Sequence, residues 1–254
     1  MPAQTTVDTS VSFLSLAAEL RNRVYEVVLL QQDLIDPWFY VNQEQMPITS
    51  LLRANKTIYR EASSVFYGQN RFDFTEATPE GVASFLKQVG STNTGYIRYL
   101  SIEFPRFLYL DPGDVTITDD SISILENISR HCVNLSTLTT SLHSTNSMEI
   151  RLDNLENLKV ATEALALVNV HFKAILSVTE VILEVFEEGP SQHIRRIMES
   201  HGWQLHEIEY AEEDDWNGNI SDIDDDDDDW DDYGSAGDDY DIDNDSDFWR
   251  RAAD

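Results

Sequence analysis

Leu51-Leu52-Arg53-Ala54-Asn55-Lys56-Thr57-Ile58-Tyr59-Arg60-Glu61-Ala62-Ser63-Ser64-Val65-Phe66-Tyr67-Gly68-Gln69-Asn70-Arg71-Phe72-Asp73-Phe74 is the stretch whose reading decides the fold. Leu51, Ile58, Ala62 and Val65 recur at helical spacing, which predicts a helix over about residues 50–66 with these four as its inner stripe. Gly68 then offers a left-handed cap, so the helix is expected to stop before Tyr67-Gly68. Phe72 and Phe74 alternate with polar neighbours and read as a short strand with its aromatic face inward.

Working outward to the N-terminus, Leu16, Leu20, Val24, Val27 and Val28 fall three and four apart, while Glu19, Arg21, Asn22, Arg23 and Glu26 lie mostly elsewhere. This predicts an amphipathic helix over residues 16–28. Asp36-Pro37 and Met46-Pro47 break the pattern, and Trp38, Phe39 and Tyr40 between them are expected to pack on the core. Working toward the C-terminus, Thr78-Pro79-Glu80 has the order cap, first-turn proline, acid; Val82, Phe85, Leu86 and Val89 continue at helical period until Gly90. Beyond Gly95, strands are expected at residues 97–104, 135–142, 178–186 and 204–210. Helices are expected at 120–132, at 154–176 with a break, and at 191–201. The fold class is therefore mixed α+β with parallel-type crossovers, either a small open sheet or a degenerate leucine-rich-repeat-like stack.

Two segments resemble the fungal F-box-like domain family. Phe13-Leu14-Ser15-Leu16-Ala17-Ala18-Glu19-Leu20-Arg21-Asn22-Arg23-Val24-Tyr25-Glu26 is similar to the family's opening, with Ala17 where the family has proline. Residues 51–62 and 65–74 are similar to its longer second signature, and 85–102 follows its usual continuation. The resemblance implies an adaptor: N-terminal helices that dock on the linker subunit of a cullin-type ubiquitin ligase, and a C-terminal region that recruits a substrate protein. It makes Leu14, Leu16, Leu20 and Val24 the linker-facing candidates. The rival reading has the same residues buried against the protein's own second helix. Glu19, Arg21, Arg53, Arg60 and Glu61 are read as ion pairs between the two helices, with Tyr25, Tyr59, Phe66 and Phe72 filling the core between them.

Charge divides the chain further. Of the net −30 over 254 residues, residues 211–254 hold 20 acids against Arg250 and Arg251, a net of −18, which leaves −12 for the rest. The Asp run at 224–229 and its surroundings bury too little to offset ordering entropy, so the tail is expected to be disordered. Trp216, Trp230 and Trp249 spaced through the acid suggest anchors for histones or other basic proteins, an alternative to the adaptor reading. The expected division is a disordered 1–10, an F-box-like helical region 11–95, an α/β region 96–210 packed on it, and the tail 211–254.

Several classes find little support. The acidic balance repels a nucleic-acid backbone, and no stretch approaches the roughly 20 apolar residues of a membrane helix. Cys132 is the only cysteine, which rules out an intramolecular disulfide and fits a reducing, cytoplasmic or nuclear compartment. A glycine-rich phosphate loop, a GxSxG elbow and an HExxH pair are all missing, so no enzyme and no cofactor are expected. His131 beside Cys132 points the wrong way for a nucleophile pair on a helix. His193, His201 and His206 lack zinc-ligand spacing, and the Asp run lacks the EF-hand pattern, so no metal site is expected.

Overall fold

Helix α1, Ala18–Leu29, follows a single 3-10 turn at Phe13–Ser15. It starts at Ala17, which has no side chain to cap the free N–H groups of the first turn. The computed structural model describes residues 12–38 and 51–209. The expected packing of Trp38 is observed, its ring lying 5.4 Å from Phe74 and 6.2 Å from Phe85. Phe39, Tyr40, the N-terminal ten residues and the acidic tail with Trp216, Trp230 and Trp249 lie outside the described residues.

The expected single helix over 50–66 is two pieces. Residues 51–53 make one helical turn, and α2, Lys56–Gln69, begins anew after Asn55. The Asn55 side chain accepts from the N–H groups of Thr57 (2.9 Å) and Ile58 (3.0 Å), an N-cap written inside what hydrophobic spacing alone reads as continuous helix. At the other end α2 runs past Gly68, which is an interior helical residue and not a cap. A Cβ at Gly68 would meet the Tyr96 carbonyl oxygen at 3.5 Å, an ordinary van der Waals contact, so the site lies against Tyr96 without demanding glycine. Asn70 ends the helix instead. It is buried, donates to the carbonyls of Leu29 (3.0 Å) and Phe66 (2.9 Å), and accepts from Gln31 N–H (2.8 Å), closing α1 and α2 with one side chain.

Strand β1, Arg71–Asp73, follows at once. Helix α3, Pro79–Val89, has the expected cap, with Thr78 Oγ1 accepting from Gly81 N–H at 3.1 Å, and stops at Gly90, whose φ of +80° is one that other residues rarely adopt. After the short α4, Ser91–Thr94, come β2, Tyr99–Ile102; β3, Phe107–Asp111; β4, Asp114–Ile117; and α5, Asp119–His131. Then come β5, Thr137–Thr140; α6, Leu142–Asp153; α7, Leu158–Ala174; β6, Glu180–Phe186; α8, Gln192–Ser200; and β7, Gln204–Ile208. Four of these strands fall where alternation places them. The expected break in 154–176 is absent, since α7 is continuous, and α6 and the β3–β4 hairpin are additions.

The sheet is all parallel and its strand order is β1-β2-β5-β6-β7, which is chain order, while β3 and β4 form a separate antiparallel pair. Crossovers of one hand that always step the same way leave their helices on the same face of the sheet. The core agrees: Phe72, Leu100, Leu138 and Leu183, on one side of the pleat, form a single cluster with Val82 and Leu86 of α3, Ile128 of α5, Val168 of α7 and Met198 of α8. Tyr99, Ile182 and Ile208, on the opposite side by strand register, do not belong to that cluster. The helices are thus confined to one side of the sheet, as in a repeat-like stack. Because β1 pairs with β2, the sheet runs across position 95, and the described residues on either side of it make one compact unit.

Candidate protein-docking site

Helix α1 is held on α2 by a small apolar cluster, Tyr25 and Leu29 against Ile58, Ala62 and Val65, with Phe13, Leu51, Leu52 and Phe66 around it. A polar pin completes the contact. Glu61 of α2 accepts from Arg21 Nε (2.9 Å) and Nη2 (2.5 Å) and from the Tyr25 hydroxyl (3.1 Å), and Arg21 Nη1 also donates to the Leu16 carbonyl (2.6 Å). Hydrogen bonding from Arg21 holds the Glu61 carboxyl below its ordinary range, while burial, aided by the bond to Glu61, raises the Tyr25 phenol. Of the expected interhelical charges, Arg21 and Glu61 do pair; Glu19, Arg53 and Arg60 make no ion pair among the described residues. Tyr59 does not fill the core. It is 44% exposed, and its hydroxyl accepts from Asn93 Nδ2 at 2.8 Å.

This anchoring inverts the amphipathicity of α1. The residues facing α2 are Arg21, Tyr25 and Leu29, four apart, whereas the Leu and Val stripe points away. Leu14, Leu20, Val24, Val27 and Val28 are all exposed, Leu20 at 55% and Val27 at 85%, and Leu30 and Leu34 extend the strip past the helix. Of the four linker-facing candidates, the structure places Leu14, Leu20 and Val24 on this strip and half-buries Leu16. Leu14, Leu20 and Val24 do not pack against the second helix. Val27 and Val28, already set on the stripe by their spacing but not among the linker-facing candidates, belong with them.

A row of exposed Leu and Val on one helix face cannot accept a proton or coordinate an ion. What it can do is lose water against a complementary apolar surface, at about 25 cal/mol per Å² of apolar area covered.

Elsewhere, the side chains with chemical potential are placed for structure. Cys132 is fully buried beneath α5, and burial pushes its thiol up to about 12, away from thiolate chemistry. The His201 ring lies tilted against Trp203 at 5.2 Å, and burial, with Lys173 nearby, lowers its pKa. Among the described residues no group of three or more His, Cys, Asp or Glu is placed to hold a metal ion. No described helix is long and apolar enough to cross a membrane. Comparison with protein-family models, with curated proteins and with solved structures finds no match to this chain.

Proposed function

We propose that this chain is a non-enzymatic protein-interaction module of the cytoplasm or nucleus that docks through the outer face of α1, in the manner its F-box-like resemblance implies, as a substrate adaptor of a cullin-type ubiquitin ligase. The observation that carries the reading is the outward strip of Leu14, Leu20, Val24, Val27 and Val28, on a helix whose own partner, α2, is engaged by different residues. An apolar helix face presented to solvent is the geometry of helix-in-groove recognition. The parallel sheet behind it gives the rest of the chain a rigid body on which a second protein can be recruited.

The test is direct binding of the purified linker subunit to the full chain. Leu20→Asp and Val24→Asp, at positions already in solvent, leave the fold intact by circular dichroism and melting and are expected to abolish capture. Undiminished capture by the folded double variant would overturn the reading. The charge of the tail favours a second one, in which residues 211–254 hold histones or other basic proteins. That binding should vanish when the chain is cut after residue 210 and should weaken steeply with salt, whereas docking through α1 should survive both.

A further inference from the structure

Net charge hides a local reversal of sign at the carboxyl ends of β2 and β5. Two clefts meet there on either side of the segment 103–106. The larger, about 380 Å³, is lined by Glu76, Glu80, Glu103 and Asp120 with Arg106 as its only cation. The smaller, about 270 Å³, has Arg106, Arg151 and His143 in its wall against Glu103 alone, over a floor that includes Phe104, Phe107 and Met148. Against the 27 acids and 15 bases of residues 1–210, two arginines from separate elements lining one cleft with a single carboxylate are a concentration of positive charge.

We propose that the smaller cleft is an anion site whose ligand is a phosphoryl group carried on an apolar body. The arginines suit the head. Arg151 Nη1 is fixed by the Phe107 carbonyl at 3.0 Å, which orients the guanidinium and leaves its other donors for an anion. Arg106 pairs with Glu103 at 2.6 Å in an exposed bridge that an incoming phosphoryl group can replace at little cost. The first turn of the twelve-residue α6 adds His143 and Ser144 to the wall; its Leu142 N–H already donates to the Glu184 carboxylate at 3.2 Å, so the arginines and not the helix end hold the anion. The aromatic and Met floor suits the body. A long polyanion such as a nucleic acid would meet the neighbouring carboxylates; a single phosphoryl group would not.

The shared chemistry has two sources, a small phosphate ester or a phosphorylated aromatic side chain on a protein segment. Phenyl phosphate and a short phosphotyrosine peptide, each titrated into the full chain and followed through backbone amide shifts, separate them. The expected result is saturable shifts at residues 103–107 and 142–151, about tenfold weaker binding in Arg106→Ala or Arg151→Ala, and none with the unphosphorylated peptide. Tighter binding of the peptide assigns the protein segment, and equal binding assigns the small ester. If neither probe moves these amides at millimolar concentration, or if the double variant binds as well as the parent, the proposal fails. Arg106 is exposed, so its variant tests the site without disturbing the fold.

Discussion

The α1–α2 pair and the sheet with its covering helices are stabilised differently. The pair rests on five buried apolar residues and pins the rest with Arg21, Glu61 and Asn70. The body rests on an apolar layer running from Phe72 to Trp203, with Phe104 meeting Phe172 and Trp203 edge to face at its end. A region too small to bury all its Leu and Val must leave some outside, and directional polar contacts determine which. That is why the apolar strip of α1 stays in solvent, whereas no large apolar residue is left exposed on α3 or α5.

The largest break in this contrast should come from the body. Leu138→Ala, at a fully buried strand position, is expected to cost roughly 2–5 kcal/mol and to lower the denaturant midpoint of the whole sheet. Next comes a titration of opposite sign in the two regions. Glu149 of α6 is 3% exposed, its Oε1 has no partner, and burial, with Asp153 adding repulsion, raises its carboxyl from 4.5 to about 7. A raised carboxyl keeps its proton in the fold while the unfolded chain ionises, so the body should lose stability as pH climbs from 4.5 to about 7 and level off above. Glu149→Gln should recover up to about 3 kcal/mol at pH 8 and nothing at pH 4, read from chemical unfolding at both. Glu61 acts the other way. Its carboxyl is held below 4.5, so its contribution is present above that value and is lost on acidification. Protection factors of the α1 amides, which allow for the slower intrinsic exchange in acid, should therefore fall at low pH, and in Glu61→Gln they should already be low at neutral pH.

Asn70→Ala sharpens the comparison further by stranding two carbonyls and one N–H at the junction. A cost of about 2 kcal/mol is expected, with fraying confined to the ends of α1 and α2. The smallest effect is a gain. Ala17 has φ −58° and follows Leu16 in extended conformation, so Ala17→Pro fits without strain and should stabilise by about 0.5 kcal/mol in thermal melts while leaving the docking strip unchanged.

Local chemistry made much of this molecule legible in the sequence. Thr78-Pro79 starts α3 and Gly90 ends it because capping depends only on near neighbours. The four expected strands of the large sheet appear because alternation and β-branched content mark them whatever they pair with. The hairpin was equally legible in principle: Asp111-Pro112-Gly113-Asp114 supplies proline and a φ +83° glycine at the two turn positions. Helix α6 was not, since Ser, Thr and Asn spread through it mask any stripe, and only the contacts of Met148 and Leu152 define its inner face.

Residue pattern alone thus determined most of the elements, though not α6 or the hairpin, together with the acidic imbalance and the existence of an apolar stripe on the first helix. Tertiary structure alone decided the strand order, the interior place of Gly68 against Tyr96 and the direction that stripe faces. A hydrophobic pattern reports which residues prefer to leave water, but Arg21 can be the inward residue only because Glu61, forty positions away, meets it. Pairing across that distance depends on geometry, and no spacing within either helix encodes it.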